Sequence, residues 1–342
     1  LRFFNDGCPQ AENNVAMQLK RIGALSVVVA AVAASVYAGQ AQDPVAKAAS
    51  ILAEARKAIG GDEKLAAIKT LEIKGTSRRG ATDVNLEGDM TISVERPGKY
   101  LRKESIILGT AGIEIIEGLN GSEAWSEQKF SGGMSFDDGG GGGNRGGGFR
   151  GAGAAAATPA GAAAAANDPA AQQAALAARQ SEVARVILAM LLTTDLPVKW
   201  TGTAVTPQAT AEVLEIATPD GNPIQLLIDS KAYTPLMLVW TGVAQDPIAA
   251  LAARSGWRGR GRGGRGGFGA RQTPQQAAAE AARADALSQP TKLRMFLSEY
   301  KVVNGVKLPH LMVRGAGDQV TEEWVIKSYK INPTLKADTF TK

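Results

Sequence analysis

Residues 83–95 read DVNLEGDMTISVE, and their alternation is the strongest constraint in the chain. Val84, Leu86, Met90, Ile92 and Val94 fall on one parity, with Gly88 among them. Asp83, Asn85, Glu87, Asp89, Thr91, Ser93 and Glu95 fall on the other. A period of two over this length makes a half-buried strand with one wet and one dry face. Burying the five apolar side chains contributes about 8–15 kcal/mol gross, before ordering entropy is subtracted. The dry face can be packed by the protein's own core or can line a site for a guest, and the alternation fits both.

The same patterning continues on either side. KTLEIKGTS places Leu71 and Ile73 on one face, and a Pro97-Gly98 turn leads into YLRKESIILG. GIEIIEGLNGSEAW contains the hairpin signal Asn120-Gly121, and Asp220-Gly221, Asp229–Pro235 and Asn304-Gly305 mark further turns. Between eight and eleven strands follow from this reading. Connections this short pair sequential strands antiparallel. Two amphipathic helices are expected, at 44–60, stopped by Gly60-Gly61, and at 176–194, with Leu176, Val183, Val186, Ile187, Met190 and Leu191 along one side; a short helix is expected near Glu63–Ile68. The expected fold class is α+β and mainly antiparallel β: a curved, incomplete β-barrel with helices against its concave face.

The remaining segments do not belong to that domain. Residues 17–41 carry Lys20 and Arg21, then an apolar run to Val36, then small residues, which is the layout of a secretory signal peptide. Residues 1–16 make no sense ahead of a signal and read as a misassigned start. They hold Cys8, the only cysteine, so disulfides and thiolate chemistry are not expected in the exported chain. Residues 131–175 (Gly/Ala-rich) and 253–290 (Arg/Gly/Ala-rich) lack the apolar content to repay their ordering entropy and read as disordered insertions. Segments 42–130, 176–252 and 291–342 then form one domain of roughly 220 residues, enough for one core.

The formal net charge is +5. It comes from one loop, WRGRGRGGRGGFGAR with its flank: Arg254, Arg258, Arg260, Arg262, Arg265 and Arg271, with no acid between them. Without these six the balance turns negative. They are candidates for contact with anionic envelope surfaces, while nucleic acid is a poor partner for an exported protein. No cofactor is expected. The only histidine, His310, stands without a cysteine or a second histidine, and no G-x-S-x-G elbow or HxxEH spacing is present, so the chain does not read as an enzyme. Glu322 and Glu323, adjacent on a strand, point to opposite faces and cannot share a site.

Taken in order, EARKAIGGDEKLAAIKTLEIKG, LNGSEAW, DGNPIQLLIDSKAYTPL, YKVVNGVKLPH and EEWVIKSYKINPTLKADTF resemble the LolA-like superfamily of periplasmic lipoprotein carriers and their relatives. The resemblance covers most of the expected domain and neither insertion. It implies an unclosed barrel whose helices cover an apolar cavity for acyl chains. Cavity candidates are then Leu71, Ile73, Val84, Leu86, Met90, Ile92, Val94, Trp125, Leu226, Ile228, Leu238 and Trp240, with Trp324 a further aromatic on a strand. The family places an arginine near its cavity to control lid opening; Arg78, Arg79 and Arg102 are the positions open to that role. The implied partners are a lipid or an acylated lipoprotein and the sorting machinery of the inner or outer membrane, with the chain acting as a monomer in the periplasm or cell envelope. The rival reading keeps the fold, fills the cavity with the protein's own side chains, and leaves binding to the basic loop.

Overall fold

A computed structural model describes residues 43–81, 84–108, 111–131, 168–206, 209–244, 289–317 and 319–342. The six loop arginines, the export segment and most of both insertions lie outside them. Among the described residues three helices, α1 (Pro44–Ile59), α2 (Asp62–Ala67) and α3 (Pro169–Leu191), accompany twelve strands. These are β1 (Thr70–Ala81), β2 (Val84–Glu95), β3 (Lys99–Leu108), β4 (Ala111–Asn120), β5 (Glu123–Ser131), β6 (Val198–Val205), β7 (Thr210–Ile216), β8 (Ile224–Asp229), β9 (Pro235–Gly242), β10 (Thr291–Val303), β11 (Val306–Ala316) and β12 (Gln319–Ile331).

All twelve form one antiparallel sheet in the order β5-β4-β3-β2-β1-β12-β11-β10-β9-β8-β7-β6. Every neighbour follows its predecessor in sequence except at β1–β12, which joins the two ends of the domain. Here Asn332 Oδ1 accepts a hydrogen bond from Lys69 N at 2.8 Å, fastening the last strand to the first. The terminal strands β5 and β6 do not pair with each other, so the barrel is incomplete.

One more strand is present than the sequence reading counted. It is β6, whose burial alternates along Val198–Val205, with Val205 facing solvent. An edge strand with one free face carries a weak apolar signal, which is why composition passed over it. The helices follow their capping chemistry. Asp43 accepts a hydrogen bond from Val45 N at 3.0 Å at the start of α1. Asp168 does the same for Ala170 N at 3.0 Å, so α3 begins at Pro169 and not at 176. It stops at Leu192, which turns left-handed.

Alternation decides which face is inward. Val94, Ile92 and Met90 on β2 stand opposite Leu71, Ile73 and Gly75 on β1. At Gly75 the β1–β12 register shifts, and a Cβ there would lie 2.3 Å from the Val325 carbonyl oxygen, so only glycine allows the bulge. The inner face packs against α1 and α3 as one continuous core, in which Ala48, Ile51, Leu52, Ala55 and Ile59 of α1 join Val183, Val186, Met190 and Leu191 of α3. On the outer face, Leu101 and Ile116 are covered by Leu335 and Phe340 of the C-terminal segment.

The C-terminal ends of β5 and β9 and the N-terminal end of β10 lie on the same rim of the sheet.

Candidate functional site

Strand parity sets the site. Along β3, Tyr100, Arg102, Glu104 and Ile106 share the inward parity, opposite Val94, Ile92, Met90 and Gly88 of β2. Charged side chains thus stand in a row otherwise reserved for apolar ones. The same occurs at Arg79 on β1, at Glu322 beside Trp324 on β12, and at Arg314 beside Met312 on β11. Arg102 is 4% exposed, Glu104 1%, Glu322 4% and Arg79 6%.

Buried charges persist only when paired and hydrogen-bonded, and here they are. Arg79 Nε donates to Glu104 Oε1 at 3.0 Å and its Nη2 to Glu104 Oε2 at 2.5 Å; Nη2 also lies 2.9 Å from Glu322. Arg102 Nη2 donates to Glu104 Oε2 at 2.9 Å and to Glu322 Oε1. Ser77 donates its hydroxyl to Glu104. The guanidinium groups of Arg102 and Arg314 lie over the Trp324 ring, at 4.8 and 4.4 Å from its centroid.

Helix α3 is tied into this network from above. Its Glu182 accepts a hydrogen bond from Arg314 Nη2 and lies 3.3 Å from Arg185 Nε. Arg179 Nη2 donates to Glu117 Oε1 of β4 at 2.9 Å. Arg185 lies over the Trp240 ring at 4.8 Å, with its Nη1 4.0 Å from Asp220. Ser181, fully buried, accepts a hydrogen bond from Asp220 N at 3.3 Å.

The electrostatics follow from these distances. Burial opposes the charge on Glu182, but Arg314 and Arg185 outweigh it and hold the carboxyl at about 2. Burial likewise opposes Glu322, and Arg102, Arg79 and Arg314 override it, keeping that carboxyl far below the usual range. Burial pushes the Tyr100 phenol well above its ordinary value. Arg102 is held protonated by Glu322, Glu104 and Glu117 in spite of burial.

The sequence candidates separate into groups. Leu71, Ile73, Met90, Ile92, Val94, Leu226, Ile228, Leu238 and Trp240 meet in the single core beneath α1 and α3. Trp324, fully buried, joins them. Leu86 packs beyond the charged row with Ile106, Ile113 and Ile115. The side chain of Val84 lies outside the described residues. Trp125 is on the opposite face, against Leu101, Ile116 and Phe340, its ring over Gly118. Of the three arginines, Arg79 and Arg102 point inward. Arg78 points outward to Glu87 and Glu323, and Glu323 faces away from Glu322 as adjacent strand residues must.

Glu104, Glu117, Arg179, Glu182, Arg185 and Arg314 were not anticipated. The readable signal was charge on apolar parity in Tyr100-x-Arg102-x-Glu104-x-Ile106. His310, on β11, is buried, with Nδ1 3.1 Å from the Leu308 carbonyl and its ring edge-on to Tyr329 at 5.2 Å. Among the described residues no group of three or more His, Cys, Asp or Glu side chains is placed to hold a metal, and no helix is long and apolar enough to cross a membrane.

An open antiparallel sheet with helices across its inner face defines a class of architecture. The chain is similar to a LolA superfamily protein from Nitrosomonas europaea at 11% identity and a TM-score of 0.45, covering 86% of this chain and 97% of the other. It is similar to a DUF1329 family protein from Desulfovibrio piger at 6% identity and TM-score 0.43, over 87% and 97% of the two chains. A putative outer membrane lipoprotein-sorting protein domain from Vibrio parahaemolyticus matches at 8% identity and TM-score 0.40, over 87% and 97%. No family model matches the sequence, and no curated protein matches it.

Proposed function

We propose that the protein is an exported, monomeric envelope protein that carries a hydrophobic guest, a lipid or the acylated end of a lipoprotein, between its sheet and helices. The observation that supports this reading is how α3 is held. Its first half, 169–180, has no buried residue, while its second half places Val183, Val186 and Met190 on the core and Glu182 and Arg185 on the charged row. Buried ion pairs add little net stability, because desolvation offsets their attraction. A cover fastened by such pairs separates at lower cost than one fastened by apolar packing alone.

The guest would take the place of the α3 side chains against Ile92, Leu226, Ile228 and Leu238. An acyl chain gains about 0.8 kcal/mol per buried methylene, so an apolar surface of this kind binds lipid without specific polar chemistry. Helix α1 would stay in place, held by its five buried side chains and by Lys47, which lies 3.4 Å from the Trp200 ring centroid. Release would be to a membrane-bound sorting partner at either membrane.

The test is native mass spectrometry with lipid extraction on the full chain purified from an envelope fraction. Lipid bound in stoichiometric amount supports the carrier. A protein with no guest, whose only binding is to anionic surfaces and disappears when 253–290 are deleted, replaces it with the loop-mediated alternative.

A further inference from the structure

The network beneath α3 has more donors than its acceptors satisfy. Among the described residues it brings Arg79, Arg102, Arg179, Arg185 and Arg314 together with Glu104, Glu117, Glu182 and Glu322. The carboxylates are shared: Glu322 serves Arg79, Arg102 and Arg314, and Glu182 serves Arg314 and Arg185. Sharing leaves Arg102 Nε, Arg314 Nε, Arg185 Nη1 and the Tyr100 hydroxyl buried with no hydrogen-bond partner. Tyr100 is fully buried, Arg102 is 4% exposed and Arg185 7%. Burial keeps the phenol protonated, so it too is a donor.

An apolar chain leaves such donors as they are, and a cation repels them. A phosphate, sulfate or carboxylate supplies what they lack, and the planar guanidinium fork is suited to it. The position matters as well. Arg102 stands opposite Ile92 in the β2–β3 register, so the donors border the apolar core.

We propose that the chain binds amphiphiles with an oxyanion head group, the head seated on Arg102, Arg185, Arg314 and the Tyr100 hydroxyl and the tail on the adjoining core. This rests on the carrier reading and specifies its cargo. The oxyanion competes with Glu182 for Arg314, so head-group binding and release of α3 are one event.

The experiment is calorimetric titration of the delipidated full chain with dodecyl phosphate, dodecanol and inorganic phosphate, all below micellar concentration. The expected result is dodecyl phosphate binding at least about tenfold more tightly than dodecanol, with inorganic phosphate weak. Tyr100→Phe deletes only an unpartnered hydroxyl, so the fold persists while the phosphate preference falls about threefold; Arg314→Lys, which keeps the charge but loses the fork, lowers it further. Equal binding of the two amphiphiles, unchanged in both variants, overturns the oxyanion site and leaves the carrier intact. Binding of neither amphiphile overturns the carrier reading and this inference with it. Inorganic phosphate binding as tightly as dodecyl phosphate keeps the oxyanion site and overturns its assignment to a cargo head group.

Discussion

Glu182 of α3 accepts a hydrogen bond from Arg314 of β11, and through that contact the covering helix is joined to a charge network reaching β1, β3 and β12. The helix is thereby both part of the core and attached to it by ion pairs.

Replacing Glu182 with Gln removes the carboxylate from Arg314 and Arg185 while keeping its shape. The expected loss is about 3 kcal/mol, because two partly buried guanidinium groups lose their shared counter-charge. Urea unfolding measures it, and amide exchange should rise first in 181–191, ahead of β1 and β12.

Acid sensitivity follows from the direction of the carboxyl shifts. Glu182 is depressed to about 2, so its contribution is complete above the unfolded value near 4.5 and is lost as pH falls toward 2. Glu322, Glu117 and Glu104 are shifted the same way. Thermal stability should be level from pH 7 to 5 and drop between 4.5 and 2, with Glu182 alone accounting for about 3 kcal/mol. A drop between pH 7 and 5 would contradict the network, as would a Glu182→Gln variant with an unaltered acid limb.

Leu238 is fully buried on β9 among the core side chains under α3. Leu238→Ala should cost the guest-free chain about 2–5 kcal/mol, because the core is packed around this side chain. The same variant saturated with a bound amphiphile should lose less, since the guest fills the space. Equal losses in both states would mean that this position never meets a guest.

Gly75 sits at the β1–β12 bulge, where a Cβ meets backbone that cannot rotate away. Gly75→Ala should cost about 1–3 kcal/mol, read as a shift in the denaturation midpoint with an unchanged slope. Gly121→Ala, which meets nothing within 4 Å but has φ of 60°, should cost less.

Period-two patterning, paired with turn residues such as Asn304-Gly305 and Asp220-Gly221, made the antiparallel sheet and its open form legible from sequence, and the 3.6-residue pattern located α1 and the buried half of α3. These are local signals, since side-chain direction along a strand or helix depends only on position within it. Which face is inward is not local. Trp125 and Ile92 both carry strand signals, yet the tail residues Leu335 and Phe340 cover one while α1 and α3 cover the other. The charge network was beyond sequence for the same reason. Its arginines and glutamates come from five strands and a helix, at separations up to Arg79–Glu322, and only the sheet order brings them together. The sequence by itself determined most of the elements and the alternation of their faces, but not the edge strand β6 or the true start of α3. Tertiary structure decided which charges are buried and what holds the covering helix, because both depend on contacts between segments that no spacing relates.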